Sequence, residues 1–335
     1  MEKNIIKIKF LKYPLMKTQQ RLVDILSEKF SVKLVDEDPD FLICSAFDTL
    51  EVLNYPETVT ILFTGENISP DFNIFDYAIG FDDLKFGDRY IRLPLYCFYP
   101  DFDSLCNGDT LPESYDMMAN RKFCSFVVSN GNGSDPIRTE FFKELSKYKK
   151  VDSAGRYMNN MGGVYLEDKH SFISEYKFNI AFENSAVLGY TTEKIMEPMA
   201  VNSIPIYWGN KDVSKDFNEK SFINLHDYTS IEACISHIIE LDQDDEKYLS
   251  LLKQPWFNPD NNYLDYKSRL CDFFETIIKK PVSERKYISQ YGYQPYYREK
   301  LTLYRWMEPY SKPLRYIEGI RKRLKKITKR DNVRP

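Results

Sequence analysis

Between residues 178 and 210 the chain reads FNIAFENSAVLGYTTEKIMEPMAVNSIPIYWGN, and several of its side chains are suited to an anionic ligand. An apolar strand stops at Glu183-Asn184. A loop of small residues then carries Ser185 and Gly189-Tyr190, and a helix opens at Thr191-Thr192-Glu193-Lys194. This order brings a carboxylate, an ammonium and unpaired backbone N–H groups to the C-terminal edge of a strand. Open α/β sheets bind ligands at that edge, and a helix N-terminus favours an anion such as a diphosphate. Lys194 offers phosphate a point charge, and Glu193 can accept hydrogen bonds from ribose hydroxyls. The same letters also fit an ordinary helix start, in which Thr191 or Thr192 caps, Glu193 complements the dipole and Lys194 is solvated. Pro198 has no N–H for the carbonyl of Lys194, so the helix should kink or be released there.

Either use requires a parallel sheet to present the segment, and the flanking sequence has that rhythm. Ile5–Phe10 reads as a strand, Thr18–Phe30 as a helix with Leu22, Ile25 and Leu26 on one face, and Phe41–Ser45 and Thr58–Phe63 as buried strands. A polar, turn-rich stretch, NGDTLPESYDMMAN at 107–120, marks a boundary. The rhythm then restarts, with strand Phe123–Ser129, a helix Asp135–Tyr148 capped by Asp135 with Pro136 in its first turn, and a short strand Lys150–Asp152. Helix Glu167–Tyr176, strand Phe178–Phe182, helix Thr192–Val201 and strand Ser203–Tyr207 follow. Two β-α-β series predict an α/β protein of two Rossmann-like domains facing a cleft. Beyond Pro281 the sequence turns helical and rich in aromatics (Tyr291, Tyr293, Tyr296, Tyr297, Tyr304, Trp306), which predicts a segment packing back across the domains.

Composition excludes several classes. With 335 residues, 43% hydrophobic and 29% charged, and 25 Tyr and 23 Phe, the chain is a folded globular protein rather than a disordered one. No apolar run is long enough to span a bilayer, and Lys3, Lys7, Lys9 and Lys12 interrupt the start, so a cytoplasmic protein is expected. The six cysteines lack C-x-x-C spacing and read as buried thiols. The net charge of −4 conceals a basic tail: residues 311–335 carry ten Lys/Arg against Glu318 and Asp331. Leu314, Ile317, Ile320, Leu324 and Ile327 recur there at helical spacing. The tail therefore reads either as a solvated terminal helix or as an amphipathic one lying on an anionic membrane.

The run F-x-x-x-F-E-N-S, then Y-x-T-E-K, then I-P-I-x-x-G resembles the donor-binding signature of the α1,3/4-fucosyltransferases in residue types and spacing. A second block agrees: Phe63-Thr64-Gly65-Glu66-Asn67, Pro70-Asp71-Phe72-Asn73 and Asp76-Tyr77-Ala78-Ile79-Gly80-Phe81-Asp82 resemble the N-terminal-domain motif of bacterial members. The likeness extends over about residues 60–225.

The resemblance implies an inverting glycosyltransferase of type-B (GT-B) architecture. Residues 1–118 would bind the acceptor, 119–280 would bind GDP-fucose, 281–310 would pack back as helix, and 311–335 would form the basic tail. It implies transfer of L-fucose from GDP-fucose to the 3-hydroxyl of GlcNAc or glucose in Galβ1,4GlcNAc or lactose-type acceptors. Alternatives are an α1,4 linkage, another nucleotide-sugar donor, or a non-catalytic nucleotide or glycan binder. Glu66 matches the family's base, which would deprotonate the acceptor hydroxyl. Arg138 and Lys194 are the cations for the departing diphosphate, Arg156 faces the donor, and Asn184, Tyr190 and Glu193 carry over as donor-binding positions. No metal is required by this likeness, although a divalent cation can stimulate non-specifically. The triplets Asp36/Asp38, Asp38/Asp40, Asp101/Asp103 and Asp242/Asp244 lack the strand-end context of a metal–diphosphate motif. The expected partners are GDP-fucose, a glycan acceptor and an anionic membrane at the inner face of a bacterial cell, with no nucleic acid.

Overall fold

The apolar runs pair as two separate parallel sheets in a computed structural model that describes residues 3–11, 16–46, 49–108, 112, 114–129, 131, 133–163, 166–258, 262–288 and 291–331. The first contains β1 (Ile5–Leu11), β2 (Ser31–Leu34), β3 (Phe41–Cys44), β4 (Val59–Phe63), β5 (Tyr77–Gly80) and β6 (Tyr90–Arg92), with α1 (Met16–Lys29) joining β1 to β2. The order across the sheet is β2-β1-β3-β4-β5-β6, every pair parallel. Leu22, Ile25 and Leu26 on α1 are fully buried, as their spacing predicts. Each such side chain contributes about 1.5–3 kcal/mol of burial.

Helix α2 (Pro100–Asn107) leads toward the second sheet, which contains β7 (Lys122–Phe126), β8 (Val151–Ser153), β9 (Tyr176–Phe182), β10 (Ile204–Trp208) and β11 (Ile223–Asn224) in the order β11-β10-β9-β7-β8. Between them run α3 (Ile137–Leu145), α4 (Lys169–Ile173) and α5 (Glu193–Ala200). All seven residues of β9 are buried, the polar Lys177 and Asn179 among them, and the strand runs directly into the signature loop. α5 passes through Pro198 and ends two residues later, so the helix stops shortly after the proline rather than at it. The strands the sequence reading missed, β2, β5, β6 and β11, have four residues or fewer, too short to display a period.

Helices α6 (Ile231–Gln243) and α7 (Asp245–Leu252) complete the second lobe, and α8 (Tyr266–Lys279) returns to the first. Phe274 meets Phe41 edge-on at 5.3 Å and Phe273 meets Tyr77 at 6.0 Å, so the chain is back on the first sheet before residue 281. Buried Asp76 then accepts the backbone N–H groups of Tyr287 and Ile288, at 2.8 and 3.0 Å, fastening the exit to β5. The last helix, α9 (Tyr293–Asp331), touches the first lobe through Tyr297 and Leu301, and Arg305 donates to the Leu50 carbonyl. The expected aromatic packing is mostly not made. Tyr291, ahead of the helix, and Tyr293, Tyr296, Tyr304 and Trp306 on it are all at least half exposed. The backbone of the basic tail continues α9 to Asp331, while residues 332–335 and most of the tail's side chains, Leu314, Ile317, Ile320, Leu324 and Ile327 included, lie outside the described residues. Among the described residues no helix is long and apolar enough to cross a membrane.

The lobes are tied by a buried pair. Arg92 at the end of β6 donates twice to Asp216, both bonds 2.9 Å, and Asp216 has no exposed surface. Such bidentate pairing fixes orientation as well as distance.

Candidate donor site at the edge of the second sheet

Strand β9 ends at Phe182, and the next residue, Glu183, is fully buried. Its carboxylate accepts the backbone N–H of Thr192 at 2.7 Å, the Thr192 hydroxyl at 2.9 Å and the Lys194 ammonium at 3.0 Å. Thr192 is the N-cap of α5. Capping and anion-site readings thus meet in one place, but Lys194 is not a solvated surface lysine. Burial opposes its charge, and Glu183 and Glu193 outweigh that cost and hold its pKa above the ordinary lysine value. Glu193 is itself pulled below the usual carboxylate range, since Lys194 and Lys169 overcome the upward push of burial.

Arg138 comes from α3 and is 1% exposed. One guanidinium nitrogen donates to the Phe182 carbonyl at 2.6 Å and to the Asn184 side chain at 2.9 Å, while the buried Nε has no acceptor among the described residues. Burial pushes the Arg138 pKa down, against Glu183, Tyr190 and Tyr157. The local cause of this placement is the turn before α3: Asp135 Oδ1 accepts the Ile137 N–H at 3.0 Å, and the Asp135 N–H donates to the Asn184 carbonyl at 2.9 Å. The loop after β7 and the loop after β9 therefore set one another.

Gly189 and Tyr190 belong to the lobe contact. Gly189 has φ +80°, and a Cβ there would stand 2.6 Å from the Phe81 carbonyl oxygen, so only glycine allows the approach. Tyr190 meets Phe81 edge-on at 5.1 Å. Its hydroxyl is pushed up by burial first, then by Glu183, with Glu66 also contributing. Glu66 lies beyond β4, half-buried, and Thr64 holds the turn by accepting the Glu66 N–H at 3.3 Å and donating to its carbonyl at 3.0 Å. The following residue, Asn67, donates to the Ser185 hydroxyl at 2.7 Å.

Arg156 stands apart from this group. It is exposed on the wall of a cavity of about 420 Å³ formed by Val127, Ser129, Gly155, Leu166 and Lys169, beyond the ends of β7 and β8. A Cβ on Gly155 would come within 2.1 Å of the Val128 carbonyl oxygen, so this residue keeps the two loops in contact. Lys169 joins the cavity to the cluster: it pairs with Glu197 and draws on Glu193.

Of the residues singled out in the sequence, Arg138, Asn184, Tyr190, Glu193 and Lys194 come together at the edge of the second sheet. Glu66 approaches from the first lobe, and Arg156 lines the neighbouring cavity. Glu183, Asn210 and Lys169 were missed. Glu183 carried a signal, a carboxylate directly following seven residues of buried strand. Asn210, fully buried, accepts the Gly189 N–H at 2.8 Å and donates to Thr191 at 3.0 Å, and nothing in its local sequence indicates this. The acidic triplets are occupied elsewhere: Asp38 pairs with Lys7, Asp101 with His170, Asp103 with Arg21 and Asp242 with Lys149.

Two Rossmann-like parallel sheets, with charged side chains gathered at one edge of the second, set the fold class, and comparison with known proteins gives the family. Residues 8–99 match the Alpha-(1,3)-fucosyltransferase FucT N-terminal domain, and residues 117–290 match the C-terminal part of Glycosyltransferase family 10 (fucosyltransferase). The chain belongs to glycosyltransferase family 10. It is 34% identical over 300 residues to the Alpha-(1,3)-fucosyltransferase FucT of Helicobacter pylori, a match covering 76% of this chain and 61% of that one. It is 30% identical over 145 residues to the human 4-galactosyl-N-acetylglucosaminide 3-alpha-L-fucosyltransferase 9, covering 42% of this chain and 39% of the relative. The chain thus spans less than two thirds of the length of these curated relatives. A crystal structure of an alpha1,3-fucosyltransferase with GDP-fucose superimposes with a TM-score of 0.71 at 31% identity, covering 84% of this chain and 92% of that one. The fold is the GT-B-like pair of domains that the sequence predicts.

Proposed function

We propose that the chain transfers L-fucose from GDP-fucose, with inversion, to the 3-hydroxyl of GlcNAc or glucose in a Galβ1,4GlcNAc or lactose-type acceptor. The observation that carries this reading is the convergence of Arg138 and Lys194 on one sheet edge, opposite Glu66 and linked to its loop through the Asn67–Ser185 hydrogen bond. Inverting transfer needs a base on the acceptor side and fixed positive charge on the leaving-group side, and these are the residue types found on the two sides. Glu66 takes the proton of the acceptor hydroxyl as its oxygen attacks the anomeric carbon. The bond to the diphosphate breaks on the opposite face, and Arg138 and Lys194 stabilise the charge that GDP gains. The buried Arg138 Nε, with no acceptor among the described residues, suits a phosphate oxygen. Glu193 and Tyr190 bind the nucleoside, and the cavity bearing Arg156 and Lys169 accommodates the base. The first lobe, roughly residues 1–118, then serves the acceptor, with loops 11–17 and 99–118 shaping its choice; residues 12–15, 109–111 and 113 of these lie outside the described residues.

The basic tail is proposed to rest on anionic lipid at the inner face of the membrane, from its charge and spacing. The deciding experiment is an assay of GDP release from GDP-fucose with type 1, type 2 and lactose acceptors, and NMR of the product linkage. Transfer to the 3-hydroxyl is expected. No GDP release with any acceptor, together with no calorimetric binding of GDP-fucose, would reject the proposal. Turnover of a different nucleotide sugar would redirect it. Co-sedimentation with phosphatidylserine vesicles, lost on deletion of 311–335, tests the tail.

A further inference from the structure

Glu183 is the fully buried acid of the donor site. A carboxylate taken out of water costs several kcal/mol unless its oxygens are compensated. Capping α5 does not require that cost, because the Thr192 hydroxyl already accepts the Lys194 N–H. The contact that distinguishes Glu183 from a cap is the one to the Lys194 side chain at 3.0 Å. An ammonium has three N–H donors. Glu183 takes one, the Thr192 hydroxyl at 2.9 Å takes a second, and Glu193 stands farther off at 3.7 Å. Among the described residues nothing closer takes the third N–H, which is left for an oxygen of a ligand. Glu183 in turn cannot swing aside. Thr192 holds its carboxylate from two atoms, and the Gly209 backbone comes so near that a Cβ there would lie 2.6 Å from Glu183 Cγ.

We propose that Glu183 is a positioning residue of the donor site: it touches no substrate, and it fixes the Lys194 ammonium with one N–H directed at the diphosphate of the nucleotide sugar. The assignment rests on the donor reading above. With the carboxylate present, the Lys194 charge is secured against burial. In Glu183→Gln the side-chain oxygen still accepts from Thr192, but an N–H₂ group faces the ammonium, which is then displaced and has only the more distant Glu193 carboxylate to offset burial. A purely structural role would weaken the fold and leave the Lys194 titration where it was.

The test uses the full chain with lysine labelled at the ε-carbon, the Lys194 resonance being assigned by its loss in Lys194→Arg. In the wild type, Lys194 is expected to stay protonated through the range in which ordinary lysines titrate, about pH 10.4. A wild-type Lys194 titrating like the others overturns the proposal without any variant. Glu183→Gln is expected to move the midpoint down by about one unit or more. It is also expected to weaken calorimetric GDP binding by about 10–100-fold, the scale of a misplaced group, with the deficit growing as pH rises. An unmoved Lys194 midpoint, or a GDP deficit that is flat with pH, overturns the positioning role while the donor reading stands. Absence of GDP binding by the wild type overturns both, and is distinguished because it appears before any substitution.

Discussion

The Asn67 side-chain amide donates to the Ser185 hydroxyl at 2.7 Å, a bond spanning 118 positions of sequence and joining the two lobes. Asn67 follows the proposed base, and Ser185 follows the residue whose side chain accepts from Arg138. Among the contacts between the lobes, this bond joins the loop of the proposed base to the loop of the proposed leaving-group cations. Asn67→Ala removes that bond without touching either set of charges. It should lower kcat by about tenfold, below the roughly 100-fold cost of a 1 Å misplacement. GDP affinity should be unchanged, and steady-state kinetics with calorimetric GDP binding on the same preparation checks the split. Equal losses in both would show that the bond supports the donor loop alone.

Glu66→Gln keeps the volume of the side chain and its backbone turn, which Thr64 holds through the Glu66 main chain rather than its carboxylate. Folding should be untouched, with a melting temperature equal to that of the wild type. Transfer should fall by about 10²–10⁴-fold, the range for losing a general base. Donor affinity should persist, so GDP-fucose binding measured by calorimetry separates a lost base from a lost fold.

Arg138 holds two acceptors of the fold and is the proposed cation for the diphosphate, and substitution should reveal both roles. Arg138→Ala leaves the Phe182 carbonyl and the Asn184 side chain without their donor, at about 1–3 kcal/mol for each acceptor that water does not reach. Arg138→Lys keeps a charge but cannot serve two acceptors and a ligand from one planar group. The lysine variant should recover most of the lost melting temperature and little of the turnover. Recovery of both in parallel would reduce Arg138 to a structural residue.

Gly189 tests the lobe contact from the donor side. Alanine there must adopt φ +80° and place its Cβ 2.6 Å from the Phe81 carbonyl oxygen. Backbone strain of this kind costs about 1–3 kcal/mol, and the steric conflict adds to it or pushes the lobes apart. Gly189→Ala should lower the melting temperature and raise KM for the acceptor more than for the donor, because the displaced element belongs to the first lobe. Fluorescence-monitored melting and two-substrate kinetics provide the readouts.

The legible part of this molecule was local. The 3.6-residue period placed Leu22, Ile25 and Leu26 on the buried face of α1, and the apolar residues Phe178, Ile180, Ala181 and Phe182 marked the strand β9. The cap at Thr192 was also readable, because N-caps are local by nature. The illegible part was what the two lobes do to each other. Whether Lys194 is solvated or held depends on Glu183, eleven residues earlier on another element. Asn210 acts on Gly189 and Thr191 from the far side of β10, and the fate of the α9 aromatics depends on which surface that helix meets. Residue types at fixed spacing pointed to the edge proposed here for the donor; the partners that constrain its charges are supplied by tertiary contact.

The same dependence on contact gives a prediction in pH. His170, at the start of α4, stands 2.9 Å from Asp101 of α2, so the pair spans the lobes. The hydrogen bond to Asp101, opposed by partial burial and helped by the nearby charges of Glu197 and Asp168, raises the histidine pKa above its ordinary value. A folded pKa above the unfolded one means the folded state holds the proton more tightly. The bridge therefore contributes fully below the unfolded histidine pKa of about 6.5, and its contribution disappears as pH rises through the folded value. With both side chains partly exposed, its size should be about 0–1 kcal/mol. Asp101→Asn should lower the melting temperature at pH 5.5 and leave it nearly unchanged at pH 8.5, measured by calorimetry at fixed ionic strength. An equal decrease at both values would mean that Asp101 supports α2 itself rather than bridging to His170.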